Sequence, residues 1–120
     1  MSNWTHVAGV IRVDSFSGNL DFDDLIGSEW DYYGNFTKGS KRMPDGSEGS
    51  LQKSVWKNPD ESCVAKYTVS IFGDLRDHDE PQEIIDWFKE VCDSLWVRQA
   101  IITVSNERNG TIDWRYEYDE

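Results

Sequence analysis

Residues 64–95, VAKYTVSIFGDLRDHDEPQEIIDWFKEVCDSL, change hydrophobic period partway along. In the first nine, Ala65, Tyr67, Val69 and Ile71 alternate with Lys66, Thr68, Ser70 and Phe72. A period of two is that of a strand with distinct faces. After Pro81 the apolar residues Ile84, Ile85, Phe88, Val91, Cys92 and Leu95 fall at helical spacing and form one stripe. Asp79 or Glu80 stands where an N-cap is needed, Pro81 suits the first turn, and Gln82 is placed to complete a capping box. The acids there also complement the helix dipole. A strand that leads into an amphipathic helix is thus the unit from which the fold is read outward.

On the C-terminal side, VRQAIITVS and TIDWRYEY read as two strands joined through Asn109-Gly110, a strong turn signal. In the last strand Ile112, Trp114, Tyr116 and Tyr118 share a face. On the N-terminal side, SLQKSVW (50–56) reads as a strand, with Leu51 and Val55 inward. At the start of the chain, WTHVAGVIRVD (4–14) puts Thr5, Val7, Gly9, Ile11 and Val13 on one face. Gly9 within it marks a bulge or a close approach by a neighbour. NLDFDDLIG (19–27) reads as a short helix, with Asp21 as N-cap, Leu20 and Leu25 as a hydrophobic staple, and Gly27 as its stop.

The resulting order, β-α-β-β-α-β-β, predicts an α+β fold of ferredoxin-like type in a single domain over residues 1–120. Two helices are expected on one face of an antiparallel sheet, with the last strand extending an edge. If the helices cover the Val7, Ile11, Val69 and Ile71 side, the opposite face presents His6, Val10, Arg12, Trp56, Lys66, Phe72 and Arg115 among others. Such an open face is often covered by a second copy of the chain.

Residues 28–49 show no period, yet Trp30, Tyr32, Tyr33 and Phe36 crowd into this loop. Rings in a loop can fold back as a lid, anchor a partner protein, or line a pocket for a planar ligand. The adjoining KGSKR supplies Lys38, Lys41 and Arg42 for an anionic ligand.

Charge is the strongest global feature, with 23 acids against 12 bases and a net charge of −11. This disfavours direct binding to a nucleic-acid backbone or an anionic membrane, both of which call for Lys and Arg. It favours a basic protein partner, although acidity also serves solubility alone. No apolar run approaches the ~20 residues that span a bilayer. The N-terminus lacks the pattern of a signal peptide, so a cytoplasmic location is expected, with Cys63 and Cys92 as free thiols.

Catalytic motifs are sparse. GSEGSL lacks the ending of a phosphate loop, no GxGxxG follows a strand, and no GxSxG elbow occurs. Asp74, Asp77, His78 and Asp79 could together hold a metal for a hydrolase, but their place before a helix favours capping. No cofactor and no metal are expected.

Over its whole length, and most of all in WTHVAGVIRVD, GSEGSL and FGDLRDHD with the helix that follows, the chain resembles small uncharacterised accessory proteins carried by bacteriophages and prophages of Gram-positive bacteria. The resemblance implies a small phage protein of a kind that often inhibits host defence systems or sequesters nucleotide signals.

The expected function is that of a non-enzymatic, acidic binding protein that inhibits a host nucleic-acid-handling or defence protein. Its carboxylates, Asp21, Asp23, Asp24 and Asp31 among them, would mimic phosphates, and Trp30, Tyr32, Tyr33 and Phe36 would anchor the partner. Acids are dense in two tracts, 13–37 and 74–93, which form one negative surface if they lie on the same side. The alternative is a binder of a nucleotide-like ligand between subunits of an oligomer, through Arg12, Lys38, Lys41, Arg42, Lys66 and Arg115.

Overall fold

The computed structural model describes residues 2–15, 26–27, 41–58 and 65–117 of the chain. The alternation at both ends of the sequence becomes a twisted antiparallel sheet. Its strands are β1 (Trp4–Ser15), β4 (Gly49–Lys57), β5 (Ala65–Arg76), β6 (Val97–Asn106) and β7 (Gly110–Glu117). Their order is β4-β5-β1-β6-β7, with every neighbouring pair antiparallel. Two short strands, β2 (Ile26–Gly27) and β3 (Lys41–Arg42), pair in parallel apart from this sheet. Among the described residues there is one helix, α1 (Pro81–Asp93). Of the two expected helices, the one over 19–27 lies largely outside the described residues. Its last two positions pair with Lys41 and Arg42 as β2 rather than ending a helix.

One face of the sheet is dry because the period-two pattern holds in β1, β5 and β6; in the edge strand β4 Leu51 is buried, but Val55, expected inward, is 40% exposed. Val7, Ile11 and Val13 of β1 pack with Tyr67, Val69 and Ile71 of β5 and with Ala100, Ile102 and Val104 of β6. From α1, Ile84, Ile85, Trp87, Phe88, Val91 and Cys92 complete this core. Each fully buried Ile, Val or Phe contributes about 1.5–3 kcal/mol relative to leaving it in water. Trp87 was not part of the expected stripe and is buried nonetheless, so α1 presents a wider apolar face than its periodic residues suggested.

Gly9 explains how closely α1 seats. A Cβ added there would stand 2.9 Å from Cε1 of Phe88 and 3.3 Å from Cγ1 of Ile102. The glycine is therefore a close approach, not a bulge. The irregularity of β1 falls instead between Arg12 and Val13.

Strand β5 runs on to Arg76, beyond the expected end at Phe72, because Gly73–Arg76 keep pairing with β1 and Gly73–Leu75 with β4. The chain then turns at Asp77, whose φ of 59° lies in the left-handed region that non-glycine residues seldom adopt. A buried polar knot secures the turn. The hydroxyl of Thr5, fully buried, donates to the carbonyl of His78 at 2.7 Å and accepts from the Asn106 amide at 2.9 Å. The side-chain oxygen of Asn106 in turn accepts from the backbone N–H groups of Arg108 and Asn109, closing the β6–β7 hairpin.

Replacing Gly9 with Ala will destabilise the fold by about 1–3 kcal/mol, as overpacking does in a filled core. Urea denaturation reads this as a lower midpoint with an unchanged slope. Ala8→Ser, on the exposed side of the same strand, leaves the midpoint in place.

Candidate functional site

Among the described residues, a row of exposed acids lies along the outer side of α1. Glu83, Asp86, Glu90 and Asp93 are all exposed, and their spacing of three, four and three residues puts them on one side of the helix. With a rise of about 1.5 Å per residue, they supply one negative charge per ~5 Å. One strand of a DNA duplex carries a charge per ~3.4 Å of axis, so the spacings are of the same order. The one base of α1, Lys89, does not break the row. Its ammonium lies over the Trp114 ring, 5.7 Å from the centroid.

At its N-terminal end the row runs into a broad cleft of about 700 Å³, lined by Asp45, Asp77, Asp79, Glu80, Glu83 and His78. Ser47 donates to Asp77 at 2.9 Å, and Asn3 donates to Asp79 at 2.6 Å. The Ser47 bond leads in holding the Asp77 carboxyl below its ordinary value, against an opposing effect of desolvation. Glu80 is raised, first by its hydrogen bond with Glu83 and then by the charge of that neighbour. Crowded carboxylates that compete for a proton mark a site receptive to a cation.

Capping does not account for these acids. Glu80 occupies the N-cap position, but its side chain makes no capping bond. Gln82 donates to Asp86 rather than completing a capping box. Nor do Asp74, Asp77, His78 and Asp79 converge on a point. Asp74 turns to His6, Asp77 to Ser47 and Asp79 to Asn3, and His78 lies 3.8 Å from Glu83. Among the described residues no group of three His, Cys, Asp or Glu side chains is placed to hold a metal ion.

The two acidic tracts do not simply merge. Asp14 of the first is buried and bound by Arg98 at 3.0 Å, with Arg12 at 3.5 Å. Asp74 of the second sits on the open sheet face, on the other side from α1. Asp21, Asp23, Asp24, Trp30, Asp31, Tyr32, Tyr33, Phe36 and Lys38 lie outside the described residues. Lys41 and Arg42 form β3.

On the open face, the register aligns Ser54, Ser70, Val10, Ile101 and Arg115 in one row across the strands. The next row is Trp56, Thr68, Arg12, Gln99 and Glu117. Arg12 and Arg115 are thus brought to one small cleft of about 170 Å³, floored by Val10 and Ile101. Lys66 is half-buried on the same face, opposite Asp14. Exposed apolar side chains punctuate this surface, with Trp56 54% exposed and Phe72 43% exposed.

A third cleft, of about 300 Å³, opens at the C-terminal end of α1. Trp96, Trp114 and Tyr116 line it beside Asp93. The sequence reading placed Trp114 and Tyr116 on one face but missed the cleft. Its only advance signal was Trp96, an aromatic that follows the helix without joining its stripe. Cys92 borders the same cleft, and burial pushes its thiol up to about 12. Cys63 lies outside the described residues.

No family model, no curated protein and no solved structure matches this chain. Among the described residues no helix is long and apolar enough to cross a membrane.

Two measurements test these electrostatics. His6 Nδ1 lies 2.7 Å from Asp74, and Nε2 lies 3.6 Å from Glu107. The Asp74 hydrogen bond leads in raising His6 above its ordinary 6.5, against desolvation. A raised histidine favours the fold below its unfolded value, and that contribution fades as pH rises through the folded one. An NMR titration will place the His6 midpoint above 6.5, and Asp74→Asn will lower it. Separately, Cys92 in the native fold will resist a thiol reagent at neutral pH and react on unfolding, read by mass spectrometry after digestion.

Proposed function

We propose that this chain is a non-enzymatic, acidic binding protein that occupies a basic groove of a nucleic-acid-handling or defence protein, acting in the cytoplasm as a phage-type inhibitor. The observation that carries this reading is the acidic row along α1, continuous with the carboxylates at its N-terminal end. These acids are exposed, regularly spaced and carried on a rigid element, which suits them to mimic a run of phosphates. The sheet order β4-β5-β1-β6-β7 supports the finer reading of the scaffold as ferredoxin-like; the expected first helix lies largely outside the described residues, and its last two positions are strand β2.

A second reading is kept because of the pairing of Arg12 and Arg115. Two guanidiniums at one cleft suit an anionic ligand of nucleotide type, and the exposed apolar side chains around them suit contact with a second copy. Both arginines already have acidic neighbours, Asp14 at 3.5 Å from Arg12 and Asp113 at 3.9 Å from Arg115. The acidic-surface reading is preferred because, among the described residues, Asp86, Glu90 and Asp93 form no ion pair, although at the start of the row Glu83 lies 3.8 Å from His78 and Asp77 lies 3.7 Å from Arg76.

Native mass spectrometry of the tagged chain captured from a bacterial lysate separates the two readings. A host protein bound in a salt-sensitive manner, displaced by duplex DNA and released by the triple change Glu83→Gln, Asp86→Asn, Glu90→Gln, is the expected result. With three charges removed, affinity will fall by more than tenfold at low salt and little at high salt. Binding indifferent to salt and to the triple change would overturn the proposal. A mass of a few hundred daltons per subunit, lost in Arg12→Ala and Arg115→Ala, would establish the second reading instead.

A further inference from the structure

The cleft at the C-terminal end of α1 has a composition that its packing role does not require. Trp96 is 53% exposed and Tyr116 is 40% exposed, whereas aromatic rings of a core are covered. The Trp114 and Tyr116 rings stack at 6.5 Å with 26° between their planes, and Phe88 meets Trp114 edge-on from below at 5.9 Å. The rings are thereby pre-organised by the sheet and the helix. Asp93 stands beside them.

Three features of this place favour positive charge. Aromatic faces attract cations through their quadrupole. The carboxylate of Asp93 adds a full negative charge. The helix end adds a partial one, and α1 carries no basic residue in its last turn to offset it. The molecule already shows the chemistry in one instance, since Lys89 places its ammonium over the Trp114 ring.

We infer that this cleft receives a guanidinium group, the side chain of an arginine presented by a basic protein partner. Guanidinium is favoured over ammonium because a planar cation can stack on indole or phenol and still pair with a carboxylate through its edge. The cleft adjoins Asp93, the last residue of the acidic row, so a basic segment lying along α1 would set one arginine into it. The inference rests on the acidic-surface reading for its partner, and adds a specific anchor to a surface otherwise selective only for charge.

The test uses the full chain and a short capped Arg-Gly-Arg peptide, with the same peptide carrying citrulline, the neutral isostere, in place of arginine. Tryptophan indole N–H signals are followed by NMR. The arginine peptide is expected to shift the Trp96 and Trp114 signals, and the citrulline peptide to leave them unmoved. Trp96→Ala and Asp93→Asn are each expected to weaken binding about tenfold. Trp96 is the ring to remove because its exposure means the fold survives the change. Equal shifts with both peptides, shifts with neither, or arginine binding unaffected by Trp96→Ala would overturn the inference. The two proposals fail separately. A captured partner that is released by the triple change on α1 but binds Trp96→Ala and Asp93→Asn at full strength removes the arginine cleft alone. An arginine peptide that binds at the cleft as expected, in a chain that captures no basic protein, removes the inhibitor reading alone.

Discussion

The contact between Phe88 and the bare backbone at Gly9 sets the distance between helix and sheet, and much else follows from that distance. With α1 seated so closely, its apolar side faces β1, β6 and β7, and Glu83, Asp86, Glu90 and Asp93 stay exposed on the other side. The same seating brings Cys92 and Asp93 over the end of β7, beside Trp114 and Tyr116. A helix lifted by the volume of one methyl group would loosen the core and open the aromatic cleft together, because protein interiors have little free space to absorb such a shift.

The chain handles its negative charge differently on its two sides. Inside and on the open face, carboxylates have partners, with Asp14 bound by Arg98 and Arg12, and Asp74 by His6. For Asp14 burial makes such pairing necessary, since an unpaired ion removed from water is costly, whereas Asp74 and His6 pair in the open. Along α1 the acids are exposed, with His78 near Glu83, Gln82 bonded to Asp86, and Lys89 drawn aside to Trp114. Among the described residues the row along α1 is thus an acidic surface on one side of the sheet, which suits directional recognition of a basic partner.

The turn after β5 joins these two sides. Thr5, Asn106 and the carbonyl of His78 form a buried knot between elements about seventy to one hundred residues apart in sequence. Through it the left-handed turn at Asp77 is held, and with it the acidic cleft at the start of α1. The sequence suggested either capping or metal binding for the acids of this segment. Their hydrogen bonds go instead to Asn3, Ser47 and His6, three residues remote in the chain and adjacent only once β5 has paired with β1 and β4.

Local periodicity by itself determined the strands from residue 65 onward, β1 and β4, the position of α1 at Pro81, and the division of the sheet into a dry and an open face. These depend on spacings of two and of three to four residues, which are present in the one-dimensional string. Composition likewise announced the acidity. Tertiary structure alone decided which acids remain exposed, since that depends on which cations fold to within reach of them. It decided that Arg12 and Arg115, distant in the chain, share one cleft, because antiparallel register places Val10 beside Ile101 and Ile101 beside Arg115. It also assembled Trp96, Trp114, Tyr116 and Asp93 from a helix end, a connection and an edge strand. No sequence period links such residues, because their proximity comes from packing a helix against a sheet.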